Sequence, residues 1–339
     1  MSVINMSSLD DPPAGPDQYV IMGIISVIAT LLNLFILGVF CSSKVLLSSS
    51  SLLVGLTISH AINGLVHAIS GFWFPSYQGV MVSTLFCIEI IWPNVYITTY
   101  QVLPLLLALA GVERLLALAT PIWYHTHCTY RRLWYVTVAA FAIGPVSMAL
   151  NWYLAWRRSD HLVTGWCVTP VIVGGTYAIY GVHLPAILGG LSVTACTLIS
   201  LYVGKRRISK MPINSSAEIK RVKKHIRLAK SLLVISLVDV VCVVIPNTLL
   251  IFYNTGLVRF PLRYTVHAVT TYCVDSVFNI VAFMWFNREF RKASIRIIRC
   301  GIASSVGPSF DPATLDRRRD QNHGFDHQHH ARVLEPWHL

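Results

Sequence analysis

Within the stretch LAGVERLLALATPIWYH, residues 109–125, Glu113 and Arg114 stand side by side in an apolar run that stops at Pro121. A charge at the centre of a membrane helix costs roughly 2.5 to 3.5 kcal/mol on insertion scales, and less near the interface. An adjacent acid and base can hold one another as an ion pair there, or each can reach to water along its own stem. Other ionisable side chains in the apolar runs are few. The mid-span acids of runs six and seven are Asp239 and Asp275, with Asn279 one turn after Asp275 on the same helix face. The histidines are His60, His67, His183 and His267, and no two have the HxxxH spacing of a zinc site. No serine or cysteine has a recognisable base nearby in sequence. The chemistry on offer is therefore ion pairing and hydrogen bonding inside a membrane; neither an enzyme nor a cofactor or metal site is expected.

The elements that must position these residues follow from composition. The chain has 339 residues, 54% hydrophobic and only 12% charged, about half the charge fraction of a soluble domain. Seven stretches reach the roughly 20 apolar residues needed to cross a bilayer: 19–41, 52–74, 84–113, 133–156, 175–204, 231–253 and 264–286. They lack the dyad alternation of a membrane β-barrel. The expected fold is an all-α membrane protein, a seven-transmembrane helix bundle over 19–286. No fixed-period repeat or inverted symmetry is visible, which argues against a transporter.

Orientation follows from Lys and Arg. All 27 except Arg157, Arg158, Arg259 and Arg263 fall on one side of this topology, and the first basic residue is Lys44. The N-terminus is expected outside and the C-terminus inside, at the plasma membrane. The net charge of +12 is then positive-inside bias and attraction to anionic lipid, with no need of nucleic acid. Residues 1–18 form an outer tail without the features of a cleavable signal, leaving span one as a signal anchor. Asn5 in NMS is a glycosylation acceptor on the outer side, whereas Asn214 in NSS falls on the inner side. Cys87 and Cys167 share the oxidising side and are expected to form a disulfide. Residues 287–300, NREFRKASIRIIRC, form a short amphipathic eighth helix. There Phe290, Ile295 and Ile298 would meet lipid, and Arg291, Lys292, Arg296 and Arg299 the headgroups. Cys300 at its end is a palmitoylation candidate, and 301–339 is a polar, disordered inner tail.

The Glu113–Arg114 pair followed by TPIWY resembles the DRY motif and second intracellular loop of rhodopsin-like G protein-coupled receptors. The third position is Leu115 rather than Tyr. Asn33 in TLLNLFIL, Pro246 in VCVVIPNTLL, and Asn279 and Phe283 in NIVAF are similar to the family's marks in helices one, six and seven. Together these fragments cover roughly residues 19–300. The departures are His60 at the helix-two aspartate, Val244 at the helix-six tryptophan, and Ile280 and Phe283 within the helix-seven motif. These relaxed motifs look like the divergent nematode serpentine chemoreceptors, the Srsx-like group; a neuropeptide or orphan receptor is the near alternative.

The resemblance implies a heterotrimeric G protein as partner, with Arg114 held by Glu113 at rest and released on activation. It places His60 opposite span seven, where it would pair with Asp275. Asp239 would face Arg114 or the polar core, or stay buried and neutral. By position the ligand pocket would comprise Tyr96, Tyr100, Gln101, Asn247, Ile251, Val269 and Tyr272. Tyr96 stands where amine receptors carry an aspartate, and Cys273 where retinal proteins carry a lysine. The implied ligand is a neutral or weakly polar small molecule, or else a peptide.

Overall fold

The computed structural model describes residues 15–77, 80–165, 167, 169–211, 216–258 and 263–305. Among the described residues, seven helices are long and apolar enough to cross a membrane: Pro16–Cys41, Ser51–Tyr77, Ile91–Ala119, Tyr130–Trp156, Gly175–Lys210, Glu218–Asn254 and Val266–Phe286, here spans one to seven. Leu31, Leu65, Val146 and Tyr202 point outward, while Asn33, His60, Thr99 and Asp275 are buried. That inside-out distribution suits a hydrocarbon solvent, where helices associate through close packing and polar contacts. The chain is a multi-pass helical membrane protein.

Small residues let the helices approach. A Cβ placed on Gly71 of span two would lie 2.6 Å from the Gly23 Cα of span one, so these two backbones touch. Spans three and five meet similarly, a Cβ on Gly189 falling 2.4 Å from the Pro104 Cβ.

Prolines shape the other contacts. Pro185 and Pro246 each lack the N–H that would bond four residues back, and each ring crowds that carbonyl. Both follow wide, π-type turns, Ala178–His183 in span five and Val240–Val244 in span six. Neighbouring spans supply the missing donors. Gln101 of span three donates to Gly181 O at 2.8 Å, and Thr271 of span seven donates to Cys242 O at 2.6 Å. Each proline thus ties its helix to another.

Span three departs from the predicted 84–113. A separate helix covers Thr84–Glu89, the chain is extended at Ile90 (ψ 110°), and the span proper begins at Ile91. The break puts Pro93 in the first turn of the new helix, where its missing N–H costs nothing, although the same span carries Pro104 in its interior. At the other end the helix runs to Ala119, stopping before Pro121.

The end of the bundle near Ile91 is closed by a two-stranded antiparallel ribbon, β1 (Met81–Ser83) and β2 (Leu162–Thr164), with Val82 opposite Val163. The expected disulfide is present: Cys87 and Cys167 are bonded, their Cα atoms 5.4 Å apart.

One compact unit extends to Ser294, and Ile295 onward belongs to a second. A helix covers Arg288–Ser305, somewhat longer than the predicted 287–300. Asn287 Oδ1 accepts from the Phe290 backbone N–H at 3.1 Å, capping its start. Phe290 was expected to face lipid. Instead it is fully buried, its ring 5.4 Å from both Phe40 and Phe283. The capped turn folds it back onto spans one and seven, where an aromatic trio recovers more than lipid contact would. In the second unit Ile295 and Ile298 are exposed, as expected. The tail from 306 onward lies outside the described residues.

Candidate functional site

At the end of span three opposite the disulfide, Glu113 and Arg114 are only 5% and 3% exposed. Arg114 Nη2 donates to both Glu113 oxygens, at 2.9 and 2.8 Å. The pair is therefore enclosed, not snorkelling to water. After Ala119 the chain breaks helical form at Thr120 (φ −130°, ψ 62°), and Pro121 starts a short helix, Pro121–His127. That turn brings Tyr124 back beneath Glu113, and its hydroxyl donates to Glu113 Oε1 at 2.6 Å. Burial, and then the charge of Glu113, push the Tyr124 phenol above its ordinary value, so it remains a donor well beyond neutral pH. Its ring meets His225 of span six edge-on at 6.1 Å.

On its far side Arg114 lines a void of about 10 Å³ with Leu53, Leu228, Ser231, Leu232, Ile235 and Phe283. That is room for about one water. Spans two, three, six and seven thus close around the guanidinium. Breaking a buried pair such as this costs about 3–5 kcal/mol if one partner is simply removed. The cluster can act as a latch because the buried Glu113–Arg114 pair stands next to the helices that would have to part.

Deeper in the bundle lies a polar core. His60 Nε2 and Asp275 Oδ2 are 4.0 Å apart, both side chains almost wholly buried. The structure brings this predicted pair together, though beyond hydrogen-bond length. Asp239 does not face Arg114. Its Oδ2 lies where a Cβ on Gly190 of span five would be only 2.4 Å away, at the start of the wide turn Val240–Val244. Asn33 Nδ2 donates to Ala29 O at 2.8 Å and reaches Ser276 O at 3.5 Å. Among the described residues, Asn33 Oδ1, His60 Nδ1, Asp239 Oδ2, Asp275 Oδ1 and Asn279 Oδ1 carry no hydrogen bond. Phe283, assigned with Asn279 to the switch, belongs to both the aromatic trio and the wall beside Arg114.

The residues assigned to a ligand pocket are brought together only in part. The Tyr100 and Tyr272 rings meet at 4.6 Å, tilted by 37°, and Asn247 donates to the Tyr272 hydroxyl. His183 Nδ1 meets Asn247 Oδ1 at 2.7 Å and the Tyr100 hydroxyl meets His67 Nε2 at 2.8 Å, extending a polar chain across spans five, six, seven, three and two. Tyr96 points to the loop after span four, donating to Cys167 O at 3.0 Å and accepting from Thr169 at 2.9 Å. Ile172 and Val173 of that loop are buried in the same cluster as Tyr96, Tyr100 and Tyr272. The other three assigned residues have different neighbours. Gln101 bonds the Tyr177 hydroxyl and the carbonyl freed by Pro185, so it braces span five. Val269 packs against Tyr19, Met22 and Val266. Ile251 is half-buried.

Tyr124 and Thr271 are residues that sequence reading left out, and His67 and His183 it noted without assigning them to the site. Tyr124 is visible in TPIWY as a phenol one short helix from the acid; nothing local marks Thr271. Asn5 and the Cys300 side chain lie outside the described residues. Among the described residues no group of three or more His, Cys, Asp or Glu could hold a metal ion. No protein-family model matches the chain, and no curated protein is similar enough to count as a match.

Proposed function

We propose that this chain is a G protein-coupled receptor of the rhodopsin-like class, sensing a small molecule and signalling by rearrangement of the helix ends around Arg114. The observation that carries the reading is the enclosed Glu113–Arg114–Tyr124 cluster at the end of a seven-helix bundle, with spans six and seven closed against the arginine. On this reading the distribution of Lys and Arg puts that end in the cytoplasm of a plasma-membrane protein and the disulfide outside. The helix after span seven lies along the inner membrane surface.

Ligand acts at the disulfide end, on the chain formed by Tyr100, Tyr272, Asn247 and His183. The loop carrying Ile172 and Val173 covers that chain, so it must shift for a ligand to reach it. A small molecule fits this closed end better than a peptide does. Binding biases a two-state bundle, and the bias reaches Arg114 through spans three, six and seven.

The test is basal G protein activation in transfected cells at matched surface density. Glu113→Gln should raise it and Arg114→Ala should abolish coupling. No change in either would remove the receptor reading.

A further inference from the structure

We propose that the groove where span seven meets the following helix binds one anionic phospholipid of the adjoining leaflet. This rests on membrane embedding alone, not on the receptor reading. The groove has a volume of about 610 Å³ and is lined by Ile280, Val281, Met284, Trp285 and Arg291, a size typical of small-molecule sites. Its walls are the last turns of an apolar span, so hydrocarbon is what they meet. Trp285 is 74% exposed and Val281 51%. They stand free of the bundle because Phe283, on the opposite face, is committed to Phe40 and Phe290.

The chemistry changes sign of preference within two turns. Past Asn287 the chain leaves the apolar span, and Arg291 closes the groove at its polar end. Arg291 has no ion-pair partner among the described residues, and neither has Arg288. Lys292 is engaged by Glu289 at 3.7 Å. The local excess is positive, and a guanidinium presents paired donors to a phosphate. A zwitterionic lipid brings its own cation to this spot; an anionic one does not. Trp285 adds an indole N–H at the depth where lipid esters lie, the usual setting of interfacial tryptophan. Acyl chain along Ile280, Val281 and Met284, ester region at Trp285 and phosphate at Arg291 together match one amphiphile.

Trp285 reports on its own occupant. The full chain is placed in phosphatidylcholine nanodiscs containing a minor fraction of either brominated phosphatidylglycerol or brominated phosphatidylcholine. The Trp285 signal is the difference between wild type and Trp285→Phe. About fivefold enrichment of the anionic lipid is expected, the gain of roughly one basic side chain at a charged surface. Half-quenching should therefore need about a fifth as much of the brominated anionic lipid. Arg291→Gln should erase the preference and Arg291→Lys keep part of it. Equal quenching by the two lipids, or a preference that survives Arg291→Gln, would overturn the proposal. So would displacement of the quencher by sterol with no headgroup preference. Should Arg291→Gln fail to fold, wild type in about 1 M salt serves instead: there the Debye length is about 3 Å, and a preference that persists would equally overturn it.

Discussion

Replacing Tyr124 by phenylalanine removes one oxygen from the latch and leaves its ring against His225. The lost bond is short, 2.6 Å, and its acceptor is a carboxylate oxygen. Hydrogen bonds to charged groups contribute about 1.5–3 kcal/mol. Tyr124 is only partly buried, so water recovers some of that, and a net loss of about 1 kcal/mol is the reasonable figure. If the bond exists only while the bundle is closed, the ratio of open to closed forms rises about fivefold. A bundle open for one per cent of the time would thus be open for about five per cent. Basal G protein activation at matched surface density reads this directly. Because Tyr124 acts through Glu113, the cycle is informative: with Glu113→Ala already present, Tyr124→Phe should add nothing. Unchanged basal activity in the single variant would refute the latch reasoning. Full additivity of the two substitutions would refute the claim that they share one interaction.

Three further outcomes follow from the packing. Gly189→Ala places a methyl 2.4 Å from Pro104 and should cost about 1–3 kcal/mol by overpacking. Gly38→Ala, with nothing within 4 Å, should be neutral or slightly stabilising; thermal inactivation in detergent separates the two, and equal effects would contradict the close approach of spans three and five. Removing the Cys87–Cys167 bond, which spans 80 residues, should cost about 4 kcal/mol by loop-closure entropy and lower the same midpoint; an unchanged midpoint would contradict it. Burial, and then the Glu113 charge, raise the Cys128 thiol above its ordinary value. Less thiolate is present at pH 7.5, so alkylation of Cys128 followed by mass spectrometry should be slower than for free cysteine and should quicken in Glu113→Gln. Faster reaction in wild type would contradict the assigned surroundings.

The spans were legible because twenty apolar residues in a row have few other uses, and Glu113–Arg114 because charges are conspicuous there. What sequence could not supply was the partner of each polar group. Gln101 reads as a ligand contact until Pro185, far along the chain, frees the Gly181 carbonyl that it satisfies. Phe290 reads as lipid-facing on a helical wheel, since its periodicity says nothing of Phe40, two hundred and fifty residues earlier. The break at Ile90 was only half readable: Pro93 favours the start of a helix, but Pro104 and Pro145 sit inside continuous spans, so a proline alone does not tell a break from a tolerated kink. His60 and Asp275 were matched through a family resemblance, which placed them on facing helices without fixing their 4.0 Å separation.

The central claim is that the Glu113 cluster holds span six against span three. Spin labels at exposed Thr126 and Lys224, in a chain with Cys41, Cys128, Cys196 and Cys300 replaced, would measure that closure with neither ligand nor G protein identified. Wild type should give one short distance distribution, and Glu113→Gln a second, longer population. Identical distributions in the two proteins would mean that the ion pair stabilises the fold without gating it.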